Sequence, residues 1–193
     1  MWGVNNDRGL TAALRQFEIE HPGWTVVTST GSGGGMDPQK LMCGIAGGSP
    51  PDMLQQDRFS VGEWAARDAF KPLDKLIIRS LEEEQIAIQF REAVTKKDLK
   101  TAQQKLNLII SYLGKRGPSL QLDFSRNLLK TLNLETRPEI LTKANTLVTL
   151  LQGIHPEKFF DACWQEACFA KDGKNRSVYA IPNSTDNRAL YYN

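Results

Sequence analysis

Asp57 and Arg58 close the stretch GGSPPDMLQQDRF (Gly47–Phe59), and an adjacent acid and base suit one kind of chemistry. A carboxylate accepts and a guanidinium donates in paired, planar geometry, which matches neighbouring hydroxyl groups on a ligand. Two glycines stop one element, two prolines stiffen the chain, and a short apolar run then delivers the pair. This predicts a strand that carries Asp57 and Arg58 to the rim of a cleft. The plainer reading is a surface ion pair, or a turn ahead of the next helix.

Catalytic chemistry is not indicated. His21 and His155 each precede a proline, and neither has a Ser or Cys nucleophile in a recognisable elbow. Carboxylates are plentiful, but no pair is marked for acid/base work. Cys43, Cys163 and Cys168 give an odd count and no metal spacing. Cys163 and Cys168 stand five apart on what reads as one helix, facing different ways, so buried free thiols are expected rather than a disulfide, a metal site or a nucleophile. The glycines of GSGGG (31–35) offer backbone N–H groups to an anion, yet no lysine follows at P-loop spacing. No enzyme activity and no cofactor are expected.

The elements that must position Asp57 and Arg58 belong to a chain of 193 residues, enough for one domain or a domain with an inserted module. A net charge of +2 makes no case for nucleic acid. The charge is uneven: over 79–153, Lys and Arg outnumber Asp and Glu 12 to 8, a mild tilt and not a binding stripe. No apolar run approaches the roughly 18 residues of a membrane helix, and no charged-then-apolar leader is visible.

Residues 9–20 place Leu10, Ala13, Leu14 and Phe17 on one helical stripe, ended by His21-Pro22-Gly23. TVVTST (25–30) reads as a strand, and Met1 to Val4 as the tail of another, a β-α-β unit of a parallel sheet. Asp37 and Pro38 then start a helix over QKLMCGIA, which stops at Gly47-Gly48. PDMLQ (51–55) reads as the next strand, and the Ser60/Glu63 spacing as a capping box opening a third helix. In an open parallel sheet, the carboxyl ends of the strands are where ligands bind.

Over 79–153 the character changes: no tryptophan, and three of the fifteen glycines. Leu99, Ala102, Leu106 and Ile109 or Ile110 fit a helical stripe, and about four helices in a bundle-like insertion are expected. From Ile154 the chain turns aromatic again. FFDACWQEACF (159–169) reads as a helix, GKNRSVYAIP (173–182) as a turn leading into a strand, and ALYYN (189–193) as a further strand.

Together, FEIEHPGWTV, KLMCGIAGGSPPDML with QDRF, and GKNRSVYAIPNSTDNRALYYN resemble the family 1 extracellular solute-binding proteins of ABC importers, the group that includes the maltodextrin binders. The match covers roughly 1–78 and 154–193, in order. It implies an α/β fold: a first lobe of the type II periplasmic-binding-protein kind with a mainly parallel sheet. On this reading 1–78 begins the lobe, 79–153 is an inserted helical module absent from the family pattern, and 154–193 continues the lobe, cut before the hinge and second lobe. The protein would be periplasmic or extracellular, with any leader or lipid anchor outside this chain. Its partners would be a small solute and the membrane permease of the importer.

By the same resemblance, Asp57 and Arg58 match a pair lining the cleft, Asp7 and Arg8 occupy the loop after the first strand, and Asp186 lies on the loop before Leu-Tyr-Tyr-Asn. Asp7-Arg8 as an exposed pair at a helix start, and Asp186 as a turn former, are the plainer readings. Trp2 is either an aromatic platform or core, and Trp64 core. Of Tyr191 and Tyr192, alternation buries one ring and aims the other outward; Tyr191 is the ligand candidate. The function implied is non-covalent capture of a solute, a carbohydrate, between two lobes. The rival from another class is a sensor or interaction module whose 79–153 helices bind an extra partner, with the lobe as scaffold.

Overall fold

The computed structural model describes residues 1–4, 8–30, 37–132 and 137–182. Helix accounts for 61% of them, and the strands are few and short, so the chain is a mixed α and β protein in which helix dominates. By its contacts the chain divides into two compact units. One holds Met1–Asn5, Thr28–Lys75 and His155–Asn193; the other holds Asn6–Val27 and Leu76–Ile154.

In the first unit, β1 (Trp2–Val4) pairs in parallel with β2 (Ser29–Thr30). On its other side, Trp2 forms a parallel bridge to Leu54. Trp2 N–H donates to the Met53 carbonyl (3.0 Å), and Gln55 N–H donates back to Trp2 (2.9 Å). The β1–β2 register shifts between Trp2 and Val4, where Gly3 takes φ +76°, a value that a Cβ disfavours and a bulge exploits.

The strands are shorter than the sequence predicts. TVVTST contributes only Ser29–Thr30, and PDMLQ only the Leu54 bridge. Pro50 and Pro51 carry no N–H for a ladder, so that segment meets β1 at one point.

α2 (Pro38–Ala46) starts as expected. Asp37 accepts from Gln39 N–H at 2.9 Å, and proline occupies the first turn. Its end is closed by Gly48 at φ +70°. Leu41 from α2 and Trp64 from α3 (Val61–Ala66) form a small core with Trp2, Leu54, Ala69 and Phe70 around it. Gly44 makes room for the Trp2 indole: a Cβ there would sit 2.9 Å from Cη2.

The helical unit is built from α1 (Arg8–Glu20), α4 (Asp74–Thr95), α5 (Leu99–Gly114), α6 (Leu120–Lys130) and α7 (Arg137–Leu150), with the first residues of α4 in the other unit. Of the stripe read from the sequence of α5, Leu99 at its start is exposed, while Ala102, Leu106 and Ile109 are buried, with Leu113 extending it. They join Ala87, Phe90, Val94, Leu128, Ile140 and Leu147 in one continuous core. α1 differs. Its stripe of Leu10, Ala13, Leu14 and Phe17 contains no buried residue; Phe17 stacks on His21 (4.2 Å between ring centres) and meets Trp24 edge-on.

Asp98 caps α5, accepting from Thr101 N–H at 3.0 Å. Hydrogen bonds from Thr101, first from its side chain and then from its backbone, hold the Asp98 carboxyl below its ordinary value of 3.8. A depressed carboxyl contributes stability that is present above the unfolded value and lost as pH falls through the folded one. Asp98→Asn keeps a capping side chain but does not titrate. It is expected to show a smaller stability loss between pH 7 and pH 3 than the parent, read from urea midpoints at the two pH values. Equal losses would remove Asp98 from the acid response.

After α7, α8 (Asp161–Glu166) is followed by β3 (Cys168–Phe169), antiparallel to β4 (Ser177–Val178). The single helix predicted over 159–169 thus ends early. Tyr179 N–H takes the Ala167 carbonyl at 2.9 Å, and strand pairing wins over continued helix. The two sheets among the described residues have two strands each. No helix among those residues is long and apolar enough to cross a membrane.

Candidate functional site

The segment after the Leu54 bridge turns at Asp57. Asp57 has extended backbone (φ −62°, ψ 132°) and accepts from Phe59 N–H at 3.2 Å, capping a 3-10 turn over Arg58–Ser60. The carboxylate is exposed. The predicted capping box does not form. Ser60 has helical backbone and makes no cap bond, because its hydroxyl donates to the Asp57 carbonyl and accepts from Gln56 (both 2.8 Å). Glu63 pairs with Arg67 at 2.6 Å.

Arg58 is partly buried. Its Nε forms an ion pair with Glu166 of α8, and its Nη1 lies 3.9 Å from the Cys163 thiol. The guanidinium centre stands 5.0 Å from the Phe59 ring centre, within cation–π range. Phe59 itself is 73% exposed. The turn therefore presents an exposed aromatic ring and an exposed carboxylate, with the basic group partly buried. Phe59 escaped the sequence reading although it directly follows the acid-base pair. Glu166 escaped because its link to Arg58 spans 108 positions of chain.

Trp2 lies at the parallel pair but is half-buried against the Leu41–Trp64 core. The Lys40 ammonium is 4.8 Å from its ring centre and donates to the Ser29 hydroxyl at 2.7 Å. Trp64 is buried, as expected. Arg8 is exposed at the start of α1, in the helical unit. Asp7, Asp186 and Tyr191 lie outside the described residues, as do the GSGGG loop and ALYYN. Of the expected ligand contacts, Trp2, Asp57 and Arg58 share one unit.

The cysteines are free. Cys163 is buried, as expected, but Cys43 is exposed. Cys168 is half-buried, and burial pushes its thiol above the ordinary range, the opposite of what a nucleophile needs. No cluster of three metal-ligating side chains occurs among the described residues. His21 Nδ1 is bonded to the Phe17 carbonyl and His155 Nδ1 to Glu157, both at 2.9 Å.

The helical unit has a concavity of its own, about 230 Å³, lined by His21, Glu83, Arg116, Ser119 and Gln121 among others. Its carboxylate is already engaged. Glu83 Oε1 receives Arg79 Nε at 3.0 Å and Arg116 Nη2 at 2.6 Å, while Arg79 Nη2 donates to the Tyr112 carbonyl at 3.0 Å. That cluster fastens α4 to the end of α5 and offers little to a ligand. The Asp57–Phe59 turn is the better candidate. No protein-family model matches this chain, and no curated protein or solved structure is found similar to it.

Proposed function

We propose that the protein captures a small solute non-covalently, a carbohydrate, for delivery to the membrane permease of an ABC importer outside the cytoplasm. On this reading 1–78 and 154–193 belong to a type II binding lobe and 79–153 is an insertion in it. The observation that carries the proposal is the turn at Asp57–Phe59. An exposed ring beside an exposed carboxylate combines the two things a sugar needs: an apolar face for its C–H surface and a paired acceptor for its hydroxyls. The parallel pairing of Trp2 with both Ser29 and Leu54 supports placing that turn at the carboxyl edge of strands.

Calorimetric titration of the protein against a panel of neutral mono- and oligosaccharides tests this. Binding of at least one saccharide is expected. Asp57→Ala should weaken it roughly tenfold, the loss of one charged acceptor discounted for exposure. Because Asp57 caps a short turn, the same change should cost at most about 1 kcal/mol of stability. A panel without a binder, or unchanged affinity in Asp57→Ala, would overturn the proposal.

A further inference from the structure

We propose that Glu166 sets the charge specificity of this rim, restricting the solute to uncharged polyhydroxylated molecules and rejecting uronic acids and sugar phosphates. The inference rests on the capture reading above and names the solute class of the same turn. Asp57 is exposed. Arg58, the adjacent cation that would answer an anionic ligand, is instead neutralised by Glu166 and partly buried beside Cys163. The side chains of Arg58 and Glu166 retain only about a third of their exposure, 30% and 32%, so solvent screens the pair incompletely. Lys40, on α2, keeps its ammonium at the Trp2 ring and the Ser29 hydroxyl, and belongs to a different element from the turn. With Arg58 paired to Glu166, Asp57 is left as the unbalanced charge of the Asp57–Phe59 turn itself. A carboxylate or phosphate on the solute would be repelled by Asp57 and would have to compete with Glu166 for Arg58. A neutral sugar needs neither, and Asp57 accepts its hydroxyl protons directly. Repulsion of the wrong ligand is a recognised route to specificity. Glu166 acts through Arg58 and is a positioning residue.

The experiment compares matched pairs by calorimetry: glucose with glucuronate, galactose with galacturonate, mannose with mannuronate. In the parent protein the neutral member of whichever pair binds should be preferred by roughly tenfold or more. Glu166→Gln removes the carboxylate that competes for Arg58. It should narrow or invert that preference, with the acid gaining and the neutral sugar nearly unchanged. Raising the salt concentration should weaken the gain, as expected for a charge effect. Thermal melting of Glu166→Gln reports whether the variant is folded. If it is not, the preference ratio of the parent alone decides. Equal binding of neutral and acidic members by the parent would overturn the inference while leaving capture intact, and so would an unaltered ratio in folded Glu166→Gln. No binding of any member, together with a blank neutral panel, would overturn both.

Discussion

Replacing Phe90 by alanine is expected to lower the unfolding free energy of the helical unit by about 3–5 kcal/mol. Phe90 lies on α4 with no exposed surface, in the same core as Leu106, Ile109, Leu128, Ile140 and Leu147. That core also draws on α5, α6 and α7, so the ring is part of a shared core and not of a local cluster. Truncation loses its transfer energy and leaves a void that close-packed helices fill only in part. Leu99→Ala is the control. Leu99 is 39% exposed at the start of α5, and its loss should cost at most about 0.5 kcal/mol. Urea unfolding followed by circular dichroism reads both. A Phe90→Ala midpoint close to that of Leu99→Ala would mean that the α4 face does not carry the core.

Glu83→Ala is expected to cost about 2–4 kcal/mol, less than the full penalty for breaking a buried pair. The Glu83 side chain is 4% exposed, whereas Arg79 and Arg116 retain 33% and 47%. Once the carboxylate is gone, the two guanidinium groups can still turn to water, which limits the damage. What cannot be recovered is the clamp itself. Arg116, from the chain between α5 and α6, meets Glu83 through both carboxylate oxygens, at 2.6 and 2.7 Å. The double change Glu83→Ala with Arg116→Ala should therefore cost less than the sum of the single changes. The coupling should be on the order of 1–3 kcal/mol in a double-mutant cycle. Strictly additive effects, or a Glu83→Ala protein as stable as the parent, would make the cluster incidental.

Local signals account for much of the helical part. The period of Ala102, Leu106 and Ile109, the cap at Asp37 followed by Pro38, and the stop at Gly47-Gly48 were all legible, because each depends on residues within one or two turns. So was the helical nature of 79–153, which rests on the scarcity of glycine and on apolar residues at helical spacing. Periodicity gave the direction of a face without saying whether anything would cover it. α1 has as clear a stripe as α5, yet only α5 is buried.

What sequence alone could not settle turns on distant partners. One departure is local: Ser60, the cap expected from the sequence, has its hydroxyl taken by the Gln56 side chain and the Asp57 carbonyl, and Asp57 caps the 3-10 turn before it. Cys168 and Phe169 left the helix for a strand because Ser177 and Val178 were there to pair with them. Arg58 is paired with Glu166, 108 positions later. Adjacency of Asp57, Arg58 and Phe59 was written in the chain; which of the three would face outward was not. A side chain's neighbours in sequence are fixed by covalent bonds, but its charge partner is chosen by the packing of elements far apart, and only tertiary structure brings those together.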